Sequence, residues 1–396
     1  MSRTVAILGA GVGGLTTASR LRELLPPEDR IVLVDRTTES VQGLSLLWVM
    51  RGWRAPAQVT HRPGRVQDLG IEVLEAEVEA LDVDRRIVVT SDGDIVYDAL
   101  VVALGAVLRP DKLPGLTQAI ADGEAGQFYT LEGAIAVGER LRSLRRGRLV
   151  VAVAAMPFKC PAAPYEGALL AADLLGERGV RPDVRIDMYT PEPFPMPVAG
   201  AAVGERLSAL LAQRDIGFHP TTQIERVEPG GVLRFADGSR VDTEYLIAIP
   251  PHGAPDPVVA AGFSDPGWIP VDPRTLRAEP EAVWAMGDVA LVTLANGKPL
   301  PKAAVFARGQ AEAVATGVAR HLGVDVAAVD FDGAGYCYVE AGGGLAAKGA
   351  GNFYASPAPA VTLTDLSEAA HHEKESEERD WIRDWSRESS NDAARI

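Results

Sequence analysis

Apolar residues in this chain fall into short runs that alternate with segments of helical spacing. Thr4–Leu8 is a five-residue apolar strand, and Leu15, Ala18, Leu21 and Leu24 line one face of the helix that follows it. Between them lies Gly9-Ala-Gly11-Val-Gly13-Gly14, and a second apolar run, Ile31–Val34, ends on Asp35. Strand, glycines, helix and an acid about 20 residues on form a dinucleotide site with a reason for each part. Gly9 permits the tight turn, Gly11 lets backbone approach a pyrophosphate, Gly14 lets helix and strand pack closely, and Asp35 can accept from a ribose hydroxyl. Arg36 follows the acid, so the spacing alone does not separate FAD from NAD.

The alternation continues. The stretch 41–56, with Leu44, Leu46, Leu47, Trp48, Val49, Met50 and Trp53, reads as a buried helix or as an exposed surface for an apolar acceptor, and burial is favoured. Ile71–Leu81, Ile87–Thr90 and Asp94–Tyr97 predict a three-stranded meander, and the strand from Tyr97 ends at Gly105. Pro110 and Pro114-Gly115 mark a boundary. A second α/β pattern then runs to residue 279: helix Ala134–Leu144, strand Leu149–Ala155, a turn, helix Gly167–Leu175, strand Val184–Tyr189, helix Gly204–Gln213, paired strands Gln223–Glu228 and Val232–Phe235, and strand Tyr245–Ile249. Its turn, Met156-Pro-Phe-Lys-Cys160-Pro-Ala-Ala-Pro-Tyr-Glu166, holds three prolines and a cysteine where a dinucleotide unit would place glycines. The lost glycine turn makes NAD(P)H a poor electron donor.

Val283-Trp-Ala-Met is a third strand of this kind and ends in Gly287-Asp288, before Lys302 and a helix from Ala303 to about His321. Asp288 suits a bound polyol, or is simply a turn aspartate. From about Val329, Phe331 and Gly335-Tyr-Cys337-Tyr-Val-Glu340 read as strand and Ala341–Gly344 as a hairpin. In the tail, residues 365–396, ten acids face five Lys or Arg, and Trp381, Ile382 and Trp385 share one helical face. Such a helix is expected to dock on the protein or a partner, since a membrane-surface helix is typically basic, with peripheral membrane contact as the alternative. The predicted class is α/β: two Rossmann-like domains, the second degenerate, and a small C-terminal α+β part. The expected domains are 1–115 with 280–328, 116–279, and 329–396.

Composition narrows the function. A formal charge of −15 opposes nucleic-acid binding, and no apolar run reaches the ~20 residues of a membrane span. The start runs directly into a strand, which leaves no room for a signal peptide and points to the cytoplasm, or to the inner face of the membrane as a peripheral protein. Two cysteines in 396 residues, in a reducing compartment, are no stability staple. They are two unrelated thiols or a redox pair.

The N-terminal glycine motif, Ala-Leu-Gly105-Ala, Gly287-Asp288, the turn Phe158-Lys-Cys160-Pro-Ala-Ala-Pro-Tyr-Glu166 and Gly335-Tyr-Cys337 together resemble the sulfide:quinone oxidoreductases and the flavoprotein subunit of flavocytochrome c sulfide dehydrogenase. The resemblance implies FAD in the first domain, with Gly9, Gly11 and Gly14 on the pyrophosphate, Asp35 on the adenosine ribose and Val78 meeting adenine through its backbone. Gly105 would line the cofactor, Gly287 and Asp288 would hold the ribityl chain, and Lys302 would sit at the flavin pyrimidine edge. It further implies that Cys160 and Cys337 form a redox disulfide oxidising a small sulfur substrate, with Lys159 and the helix N-terminus favouring thiolate. Glu166 would relay protons, or is a first-turn acid on the helix dipole.

Two departures stand out. A third cysteine common in the oxidoreductases is missing, since position 128 is Phe, and Val41 and Gln42 offer no thiol for a covalent flavin, so FAD is expected to be noncovalent. The acceptor is a quinone or a cytochrome partner. Alternatives are a flavin electron-transfer subunit and an NAD(P)H dehydrogenase of the same fold; homodimerisation stays open.

Overall fold

The computed structural model describes residues 2–264 and 267–386. Its first sheet is parallel throughout, in the order Val283–Ala285, Ala99–Val102, Thr4–Leu8, Arg30–Asp35, Glu72–Glu75. Val5 and Ile7 face one core, which includes Leu15 and Leu21 of the helix Val12–Leu24 and Val314 and Val318 of the helix Ala304–His321. Ala6 and Leu8 face a second core, beneath Val88 of the meander. Burial on both faces is why these strands are continuously apolar rather than alternating.

The second sheet repeats the pattern, in the order Ala125–Gly126, Tyr245–Ile249, Gly147–Val153, Val184–Tyr189, Ile216–His219, again parallel. In both sheets a strand from late in the unit returns beside the unit's first strand. In both, a three-stranded antiparallel meander follows the third strand of the winding: 78–96 in the first, 224–242 in the second. The α/β class and the doubled Rossmann-like architecture are thus observed directly.

The run Ile71–Leu81 is not one strand. Glu72–Glu75 completes the parallel sheet, and only Val78–Asp82 enters the meander, so one apolar run serves two sheets. The patch 41–56 folds as the helix Leu46–Arg51 with Leu47, Trp48, Val49 and Met50 buried, which resolves it as core. The helix of the cysteine turn runs Ala163–Glu177, four residues earlier than the periodicity indicates. It is buried on nearly all sides, so its first turn carries no amphipathic signal.

The C-terminal part pairs Ala334–Gly342, Leu345–Asn352 and Ala360–Leu363 into an antiparallel sheet, followed by the helix Glu368–Trp385, whose N-cap Ser367 accepts from the Ala370 N–H. The first of these strands packs on the helix Ala163–Glu177. Trp381 and Trp385 insert into the core of the first sheet, while Ile382 is only partly covered. The last ten residues of the tail lie outside the described residues. None of the described helices is long and apolar enough to cross a membrane.

Candidate active site

At the C-terminal edge of the first sheet the glycine loop is built as a cradle. Gly9 takes φ +101°, and a Cβ there would lie 2.4 Å from the Ala103 carbonyl oxygen. A Cβ at Gly14 would fall 1.8 Å from the Gly9 carbonyl oxygen, so helix and turn touch through backbone alone. Gly11 caps the helix without a side-chain hydrogen bond, and its Cβ direction is open for 4 Å. Free N–H groups at a helix start, facing open space, suit a pyrophosphate. One Asp35 oxygen accepts from the Ala10 N–H at 2.7 Å and so ties the acid to this loop. The Asp35 carbonyl accepts from the Ala76 N–H, which brings Val78 to the same end of the sheet. Gly105 also has positive φ, with open space at its Cβ position.

Gly287 donates to Gln310 Oε1 at 2.8 Å, fixing the loop that presents Asp288 over the start of the helix Ala304–His321. Burial raises the Asp288 carboxyl above its ordinary range, and Lys159 and Lys302 pull it back down. Burial lowers Lys302 to about 8 against the opposing pull of Asp288. Its ammonium donates to the Asp288 carbonyl and stands 3.6 Å from the Trp268 ring centre.

The cysteine turn is zipped to this region. The Cys160 N–H donates to the Lys302 carbonyl at 2.7 Å, and the Cys160 carbonyl accepts from the Ala163 N–H. Cys160 itself adopts φ +56°, a left-handed conformation that is unfavourable for a side-chain-bearing residue by roughly 1–2 kcal/mol. Such strain is a familiar mark of functional loops. Cys337, from the C-terminal sheet, packs into the same core cluster, and both are free, half-buried thiols.

Burial pushes Cys160 up to about 11, with Glu166 adding; Lys374 and the amides of Ala163 and Ala162 act the other way. Cys337 rises to about 12, again through burial first and then through the nearby charges of Cys160 and Glu166. The expectation that Lys159 favours the thiolate is corrected here. Its ammonium lies over the Tyr129 ring and its charge is felt by Asp288, while the cation beside the thiols is Lys374. The helix N-terminus helps as expected, but burial outweighs it.

Glu166 is 3 % exposed and hydrogen-bonded to Lys374 of the tail helix. Burial raises its carboxyl to about 7 despite that lysine, with Glu340 adding. Residues that the sequence motifs did not single out also converge here. The Tyr129 hydroxyl and His252 Nε2 are buried without a hydrogen-bond partner. His252 Nδ1 lies 2.8 Å from the Pro250 carbonyl and therefore donates, which leaves Nε2 as an acceptor. Burial and then Lys159 hold the ring near 3, neutral at physiological pH. The Tyr129 and His252 rings meet edge to face, with Lys159 over Tyr129 and the charges of Asp288 and Lys302 felt nearby. Such orphaned buried polar atoms fit a flavin with polar ring edges.

The pyridine nucleotide-disulphide oxidoreductase family model matches residues 3–311. The chain belongs to that family. Within it, the chain is similar to the sulfide-quinone reductase of Aquifex aeolicus, at 28% identity over 278 residues, 66% of this chain and 61% of the relative. It is also similar to the alternative NAD(P)H-ubiquinone oxidoreductase C1 of Arabidopsis thaliana, at 29% over 347 residues, 78% of this chain and 65% of the relative. The chain thus spans somewhat under two thirds of either relative. The solved structure of the sulfide:quinone oxidoreductase from Aquifex aeolicus superposes with a TM-score of 0.86 over 97% of this chain and 92% of that one, at 22% identity. That match establishes the shared fold.

The second unit bears on which relative is the better guide. Where a nicotinamide dinucleotide would rest on a glycine turn, Tyr165 is fully buried and donates to Glu192 at 2.5 Å; Thr190 donates to the same carboxylate at 3.0 Å. The acid after the strand Val184–Tyr189 is therefore engaged inside the protein.

Proposed function

We propose that the chain is an FAD-dependent oxidoreductase that oxidises sulfide, or a small persulfide or thiol, through Cys160 and Cys337 and delivers electrons to a quinone. The observation that carries this reading is that both cysteines, from separate parts of the chain, pack against one core cluster, close enough for charge on Cys160 and Glu166 to be felt at Cys337, while the Cys160 N–H is tied to the Lys302 carbonyl. Both named relatives reduce a quinone by their names, and one names sulfide as the donor. The engaged Tyr165–Glu192 pair favours sulfide over NAD(P)H.

Gly9, Gly11, Gly14, Asp35, Val78, Gly105, Gly287, Asp288 and Lys302 would hold FAD noncovalently, and the bound group would supply a two-electron acceptor. Tyr129 and His252 join that set through their unpartnered polar atoms. In the oxidised enzyme Cys160 and Cys337 are joined. Hydrosulfide attacks one sulfur, the S–S bond breaks, and a persulfide forms while the other sulfur leaves as thiolate. Lys374 and the amides of Ala162 and Ala163 stabilise that anion. A second thiol can then lift off the sulfane sulfur. Lys302, held by the backbone carbonyls of Asp288 and Ala290, would offer positive charge to a bound flavin as it gains negative charge.

The test is anaerobic titration of the FAD-loaded protein with sulfide and, separately, NADH, following the visible flavin band. Bleaching by sulfide alone, lost in Cys160→Ser, is the expected result. Bleaching by NADH with the variant unaffected would overturn the reading.

A further inference from the structure

We propose that the tail helix completes a proton route from the cysteine pair to solvent, through Glu166, Lys374, Glu340 and His371. This rests on the sulfur chemistry above. Attack of HS⁻ on the disulfide yields Cys–S–S–H and a cysteine thiolate. Hydrogen sulfide sheds one proton to attack as HS⁻, and withdrawing two electrons to leave the sulfur as sulfane frees the S–H proton. A two-electron acceptor reduced to its monoanion would take back one of these, so one proton must still leave a buried site. Glu166 stands in the first turn of the buried helix that the Cys160 carbonyl caps through the Ala163 N–H, and its charge is felt at both thiols.

From Glu166 a line of polar groups leads outward, with one step longer than a hydrogen bond, between Lys374 and Glu340. Lys374 Nζ is hydrogen-bonded to Glu166 Oε1 and lies 3.9 Å from Glu340 Oε1. Both Glu340 oxygens lie 3.0 Å from His371 Nδ1. Glu340 is fully buried and Lys374 2 % exposed, whereas His371 lines an open cavity with Trp53, Arg54 and Glu375. A buried ion cluster in an otherwise apolar core adds little stability by itself, whereas a line of exchangeable protons has an evident use. Lys374 would take a proton from Glu166 as it hands another to Glu340, and His371 would release it at the cavity.

The groups facing this line come from four elements. Cys160 and Glu166 belong to the turn and its helix, and Cys337 and Glu340 to the strand Ala334–Gly342. Arg54 follows the helix Leu46–Arg51 and pairs with Glu375 and Glu378. On the tail helix itself, Glu375 lies 3.9 Å from His371 Nε2 and 3.0 Å from His372. The rings of Trp48 and Trp53 flank His371 edge-on and wall off the rest.

The experiment is stopped-flow reduction of the FAD-loaded enzyme by sulfide in His371→Ala, with and without free imidazole, beside His371→Gln, which keeps a hydrogen bond to Glu340 but carries no proton. Both variants are expected to slow flavin reduction by about tenfold or more. Imidazole should restore His371→Ala in proportion to its concentration and leave the wild type unchanged. Wild-type rates in both variants, or slowing that imidazole does not relieve in a natively folded variant, would overturn the route. If sulfide fails to reduce even the wild type, the substrate reading falls. Dithiothreitol, which reduces the same disulfide to a dithiol whose reoxidation by a two-electron acceptor would shed one proton, then decides the route by the same two outcomes.

Discussion

A thiol in a buried site gives up its proton only where a neighbouring charge compensates for lost water. Cys160 has both influences on it, Glu166 raising and Lys374 lowering, and burial dominates. Alkylation of the reduced protein by iodoacetamide should therefore accelerate well above the pH at which an exposed cysteine reacts. Glu166→Gln should move the Cys160 profile down in pH and Lys374→Met should move it up, read peptide by peptide by mass spectrometry. His252 makes the opposite kind of prediction. Its folded value is near 3 against an ordinary 6.5, so above pH 6.5 it is neutral in both states and stability is unaffected. As pH falls below 6.5 the unfolded chain takes a proton that the folded protein refuses, and stability declines toward pH 3. His252→Gln should flatten that acid limb by up to about 1.4 kcal/mol per pH unit, measured by urea unfolding of the apoprotein between pH 5 and 7.

At the scale of the element, the glycine loop is the clearest case of sequence dictating shape. Gly14→Ala places a methyl 1.8 Å from the Gly9 carbonyl oxygen, so the helix must move off the strand. A loss of about 1–3 kcal/mol and weakened FAD retention are expected, checked by thermal melting and by flavin released on gel filtration. This loop was legible because each glycine answers a local requirement of turn, approach or packing. The Rossmann-like class was legible for a similar reason: Val5 to Leu8 and Val150 to Val153 are apolar without alternation, as strands of a doubly covered sheet are. The split of Ile71–Leu81 between two sheets was not, because Glu72–Glu75 and Val78–Asp82 have similar local character and differ only in which neighbour they meet. Nor were Tyr129 and His252, since nothing adjacent in the chain marks an aromatic hydroxyl or an imidazole as orphaned. Glu166 was visible as a candidate, but its partner stands 208 residues away on an acidic tail helix, where nothing adjacent in the chain marks the lysine as buried.

For the whole molecule, that helix does the joining. Trp381 and Trp385 enter the core of the first sheet, Lys374 reaches the cysteine turn of the second unit, and Glu378 takes hydrogen bonds from Ser45 and Arg54 beside the helix Leu46–Arg51. Lys374 and Glu378 thus face protein, which is why an overall acidic, weakly amphipathic segment is nonetheless docked. The two tryptophans and the buried ions make different contributions. Trp385→Ala removes apolar area and is expected to lower stability by about 3–5 kcal/mol. Truncation before Ser367 does this and also strands Glu166 and Glu340 without Lys374. Breaking a buried pair from one side is itself worth about 3–5 kcal/mol of destabilisation, so the truncated protein should lose more than the tryptophan variant. Adding Glu166→Gln and Glu340→Gln to the truncation should return part of that difference, because it removes the stranded charges without adding any contact. Denaturant melts of the four proteins would measure this, and absence of any recovery would mean that the helix holds the units together through its tryptophans alone.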